Sequence, residues 1–160
     1  MLEWLVHTSY AQWVQESWGW PLALTFHAFG TATVVGLMAI VGLRLFGLFR
    51  TIPYSSLSRL IPFIWTAVAI QVLSGLTLLT TKPLQYLADG MFEVKMAFLL
   101  ASIIVTAMFH RIIKKDAGKW EEAGAASPRA LKLVAATCLL WAAVTIGGRL
   151  TAYLGSLYPT

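Results

Sequence analysis

The chain has 160 residues, of which 58% are hydrophobic and 12% charged, with a net charge of +5 and a mean hydropathy of +0.72. That balance excludes a water-soluble globular domain and points to an all-α integral membrane protein, one membrane domain over residues 1–160. A lone cysteine, Cys138, excludes a disulfide framework, a CxxC redox pair and covalent haem attachment.

Residues 1–17 carry acids, Glu3 and Glu16, and lack the basic n-region and small-residue cleavage site of a signal peptide. Leu2, Leu5, Val6, Trp13 and Val14 fall on one broad helical face, and Trp4, Trp13, Trp18 and Trp20 suit the headgroup level. The expectation is an N-terminal amphipathic interfacial helix. It is broken at SWGWP (17–21), because Gly19 frees the backbone and Pro21 is tolerated in the first turn of the next helix.

Four hydrophobic stretches follow. Ser17 to Leu43 and Leu60 to Thr81 contain no Asp, Glu, Lys or Arg and are long enough to span a bilayer. Met96 to His110 and Leu133 to Gly148 cover only roughly 22 to 24 Å of a ~30 Å hydrocarbon layer. They span only by taking Lys95 and Arg149 into the membrane, where a charge needs a partner, an aqueous route or a task. The predicted helices are about 21–49, 58–81, 89–115 and 128–155, a four-helix bundle. The polar segment KKDAGKWEEAGAASP (114–128) reads as a solvated connector.

Of the 12 Lys and Arg, all but Lys82, Lys95 and Arg149 flank the first and third connections, which are therefore expected to be cytoplasmic. This places both termini on the periplasmic side of a bacterial inner membrane. The asymmetry accounts for the net charge, so nucleic acid is not an expected partner; the lipid bilayer is.

Depth brings the polar residues together. His27, Lys95 and Arg149 each lie roughly 9 Å inside the outer face, with Ser74 at roughly 10 Å and Gln71 at roughly 15 Å. Gly30, Gly75, Gly147 and Gly148 stand beside them and leave room for something flat between helices. A non-covalent haem b meets the requirements of such a layer: His27 for the iron, Arg149 for a propionate, and Lys95 either for the second propionate or, if neutral, as a second axial ligand. Gln71 and Ser74 are supporting candidates. His110 lies about 22 Å further along its helix than Lys95 with no second histidine at its level, so an interfacial role is expected of it. His7, on the interfacial helix, is a candidate outer copper or haem ligand beside Glu93 or Asp89.

The segments FHAFGTATVVGLMAIVGLRLF (26–46), WTAVAIQVLSGLTLL (65–79) and FEVKMAFLLASIIVTAMFHR (92–111) resemble the small membrane proteins of the HemJ-type protoporphyrinogen oxidase and CopD-like copper-resistance group. The resemblance spans roughly residues 24 to 113. It implies haem binding through a first-helix histidine and a lysine opening a later helix, here His27 and Lys95. The chain departs from the porphyrinogen oxidases after its third helix, where KKDAGKWEEAG replaces their Asn-Glu-containing segment, so the resemblance carries haem binding further than oxidase activity.

The leading expectation is a haem b membrane protein of electron transfer, with a quinone or redox protein as partner, or a membrane oxidoreductase acting on a porphyrinogen or quinone. Copper handling by His7, His27, Glu93, Met91 and Met96 is the alternative. A structural accessory subunit is the third reading, and self-association into a homo-oligomer is open to all three.

Overall fold

A computed structural model describes the backbone of residues 3–157 and the side chains of residues 4–150; Leu2, assigned above to the amphipathic face, lies outside them. After a single 3-10 turn, Glu3–Leu5, the helices are α1 (Ser9–Glu16), α2 (Gly19–Leu45), α3 (Tyr54–Leu57), α4 (Ile61–Thr81), α5 (Pro83–Leu87), α6 (Gly90–Ala123) and α7 (Pro128–Leu157). No strand occurs among the described residues. Helices α2, α4, α6 and α7 are each long and apolar enough to cross a membrane, α4 continuing from Tyr54 through a 3-10 turn. The chain is a multi-pass membrane protein whose four long helices contact lipid.

The ends of these helices follow from local chemistry. The Thr8 side chain caps α1 by accepting from the Ala11 N–H at 3.2 Å. Helix α2 stops at Leu45, earlier than expected, because Gly47 (φ +96°) and Phe49 (φ 51°) turn the backbone left-handed. Asp89 Oδ1 accepts from the Met91 N–H at 2.9 Å and opens α6, and Gly124 at φ +69° closes it.

The expected solvated connector is instead helical as far as Ala123. Ile113, Ala117 and Trp120 recur at helical spacing and are all buried, so the charges of KKDAGKWEEAG occupy the opposite face of a continuing helix. Lys119 and Asp116 pair across one turn at 3.0 Å. The real turn is Gly124–Ser127.

Helix α1 is more than an interfacial float. Ala11 and Val14 are fully buried against α2 and α4, and the Tyr10 hydroxyl bonds Thr77 Oγ1 at 2.9 Å. Trp4, Trp13 and Trp18 stay exposed, as expected for headgroup contact. A Cβ at Gly19 would sit 2.6 Å from Val14 Cα, so the elbow closes only on glycine.

The bundle is packed unevenly. Helix α2 lies between α4 and α7, and α7 packs on α6, whereas α4 and α6 scarcely approach each other. Their seam is closed at one end by α3 and by the Trp65 indole N–H donating to His110 Nδ1 at 3.1 Å. The buried core gathers at that same end: Met38 and Val41 of α2, Ile61 and Ile64 of α4, Phe109 and Ile113 of α6, with Trp141 of α7. Helix α6 has no buried residue before Ser102. At the His27 end, two helix pairs therefore stand beside each other with a shallow join.

Candidate functional site

The two helix pairs bring His27 and Lys95 to this less-packed end. His27 projects from α2 onto α4, where its Nδ1 stands 3.1 Å from the Gln71 carbonyl oxygen and 3.1 Å from Ser74 Oγ. A main-chain carbonyl can only accept, so Nδ1 carries the proton and donates it. The neutral ring then has its lone pair on Nε2. Ser74 Oγ directs its own proton to the Ile70 carbonyl at 2.6 Å, leaving an oxygen lone pair for His27.

The α4 side of this arrangement is braced. Gln71 is buried, and the Thr31 hydroxyl shares its proton between the Gln71 carboxamide oxygen and the His27 carbonyl, the latter 2.9 Å away. Thr31 was not among the residues singled out from sequence, although it lies one helical turn beyond His27 and so on the same face.

The glycines fill a different role from the one expected. A Cβ at Gly30 would lie 3.0 Å from both the Ala67 carbonyl oxygen and the Gln71 nitrogen, so its space is taken by the α4 backbone. At Gly75 a Cβ would meet His27 Cε1 at 3.1 Å, so that space is taken by the imidazole. These two residues press α2 against α4 and admit the ring; they do not themselves open a flat slot.

Lys95 is accommodated in the same way on the other pair. Its Cε and Nζ would each be 3.6 Å from a Cβ at Gly148, and its Cβ lies 3.9 Å from one at Gly147. Among the described residues no acid pairs with Lys95, and its ammonium is close enough to act electrostatically on His27. The structure thus brings His27, Gln71, Ser74, Gly30, Gly75 and Lys95 into one region. Arg149 is exposed, and no contact among the described residues ties it to His27 or Lys95.

The remaining candidates make no contact with His27 or Lys95 among the described hydrogen bonds and ion pairs. His7 is exposed and Glu93 is exposed, while Asp89 is engaged in capping α6. Among the described residues no three of His, Cys, Asp and Glu gather as a metal site would require. His110 is at the far end, where with Ser58, Ile61, Pro62, Trp65 and Lys114 it lines a cleft of about 310 Å³. Cys138 faces the Met38 carbonyl at 3.5 Å within the α2–α7 contact.

The residues fit a haem iron in one decisive respect. A ligating histidine needs a free ring nitrogen and a hydrogen bond that fixes the other, and His27 has both. The sparse α4–α6 contact and the basic Lys95 on α6 suit an apolar ring bearing carboxylates. No protein-family model matches the chain, and no characterised protein or solved structure matches it either.

Proposed function

We propose that this chain is a haem b-binding membrane protein that carries electrons, in which His27 would hold the iron through Nε2. The observation that carries the reading is the donation of the His27 Nδ1 proton to the Gln71 carbonyl, which leaves Nε2 available and fixes the plane of the ring. When bound, the haem supplies one-electron redox chemistry. The chain's part is to hold the imidazole through Gln71 and Ser74, to keep a cation near the group through Lys95, and to exclude water with the apolar faces of α4 and α6. Arg149 serves as a propionate contact in this reading.

The same reading places the protein in a bacterial inner membrane with both termini periplasmic, on the strength of the Lys and Arg asymmetry between connections. Its donor is a lipid-soluble quinone or a redox protein on the periplasmic side. The shared His27 and Lys95 positions of the HemJ-type resemblance support haem; nothing in the site supplies a catalytic base for a porphyrinogen.

The test is an absorption spectrum of detergent-purified protein, oxidised and dithionite-reduced, with a pyridine haemochrome assay and elemental analysis on the same sample. Near-stoichiometric b-type haem is the expected result. Correctly folded protein that stays haem-free under adequate haem supply overturns the reading, and stoichiometric copper without porphyrin would put copper handling in its place.

A further inference from the structure

At the end of the bundle opposite His27, the α2–α3 connection and the α6–α7 turn enclose a cleft of about 440 Å³, lined by Arg44, Arg50, Tyr54, Glu121 and the turn glycines Gly47 and Gly124. Arg44 is only 5% exposed. Its Nε donates to the Ile52 carbonyl, one terminal nitrogen donates to the Arg50 carbonyl at 3.5 Å, and its guanidinium lies 3.8 Å above the Tyr54 ring. These contacts leave most of its five N–H donors unspent. Arg44 lines the cleft, and its terminal nitrogen without a partner among the described residues is not fully buried.

Arg50 adds a second guanidinium. Among the described residues only its Nε is engaged, donating to the Gly47 carbonyl at 3.1 Å. The one acid of the lining, Glu121, is committed elsewhere: its Oε2 accepts from the Tyr54 N–H at 2.6 Å and the Ser55 N–H at 3.4 Å. Two guanidiniums with spare donors outnumber the single carboxylate, whose Oε2 is taken by two backbone N–H groups, and their fork geometry matches phosphate oxygens. Phe46, part of the lining, gives the cleft an apolar rim, and Leu48 and Phe49 follow it in the same connection; all three are about half exposed.

We propose that this cleft binds the phosphate group of an anionic phospholipid, whose acyl chains lie along Phe46, Leu48 and Phe49. A free phosphate has the same headgroup chemistry but no use for that rim. The site lies apart from His27 and does not depend on haem binding.

The test is native mass spectrometry of the delipidated full chain in detergent, titrated separately with phosphatidylglycerol, phosphatidylcholine and inorganic phosphate. The expected result is preferential retention of phosphatidylglycerol by the unsubstituted protein. Arg50→Gln should weaken it about tenfold, the equivalent of one charge-assisted hydrogen bond. Arg50→Lys should recover part of the loss, and Arg129→Gln, at the same end but outside the cleft, should change nothing. Circular dichroism and an unchanged detergent melting temperature verify that the variants are folded. Equal retention of both lipids, or equal losses in Arg50→Gln and Arg129→Gln, overturns the proposal as mere attraction to a basic face. Saturable inorganic phosphate binding that displaces the lipid overturns the lipid assignment and makes the cleft a free-phosphate site.

Discussion

The Nδ1 of His27 and the main-chain carbonyl of Gln71 stand 3.1 Å apart across the α2–α4 contact. Because the acceptor is backbone, no side-chain substitution at residue 71 removes it, and the ring orientation is built into the fold. Replacing His27 with Ala should therefore abolish haem retention in the haemochrome assay. Replacing Ser74 with Ala removes one of two acceptors while keeping the carbonyl, and should weaken haem affinity by roughly tenfold, at the low end for loss of a supporting hydrogen bond. Titration of the apoprotein with haemin reads both; an unchanged spectrum in the His27 variant would sink the ligand assignment.

Lys95 can be examined with a side chain of similar length and no charge. In Lys95→Met, a changed ferric spin state in the electron paramagnetic resonance spectrum identifies the amine as an iron ligand. Weaker haem retention at unchanged spin state identifies a propionate contact. Retention and spin state both unaltered would remove Lys95 from the site.

Gly30 and Gly36 lie on the same helix in opposite circumstances. Gly30→Ala must push α2 from the α4 backbone and should cost about 1–3 kcal/mol, lowering the detergent melting temperature. A Cβ at Gly36 meets nothing within 4 Å, and Gly36→Ala should stabilise by about 0.5–1 kcal/mol through helix propensity. Thermal melts of equal midpoint for the two variants would contradict the close α2–α4 approach.

Trp141 is fully buried on α7, and its indole N–H donates to Thr106 Oγ1 of α6 at 3.1 Å. Thr106→Val keeps the shape and strands that donor, at a cost of about 1–3 kcal/mol. The same substitution should leave haem content untouched, since both residues belong to the packed end. Loss of haem at unchanged stability would show that the two ends are coupled.

The long helices were legible because uncharged apolar runs have few alternatives in a membrane chain. The tail of α6 was not, since composition weighed its charges while the fold responds to the spacing of Ile113, Ala117 and Trp120. Depth along a helix brought His27, Gln71, Ser74 and Lys95 to one level, and the structure does set them near each other. Depth carries no information about azimuth. Depth therefore leaves open whether Arg149 faces His27 and Lys95, and it does not reveal that the space beside Gly30 is taken by α4 backbone and that beside Gly75 by the imidazole. Thr31 escaped notice for a related reason: a mid-helix threonine ordinarily bonds its own preceding turn, as this one does at 2.9 Å, and only the tertiary fold adds Gln71.

The uneven core also bears on biogenesis. Helices α2 and α4 form one sequence-contiguous hairpin and α6 and α7 the next, so a membrane-insertion machinery can deliver each as a self-contained unit. The first hairpin carries His27 with its complete hydrogen-bonding support, and the second carries Lys95 seated against Gly148. Neither unit alone holds both groups. Any property that needs His27 and Lys95 together is therefore absent until the two inserted hairpins meet, whichever is synthesised first.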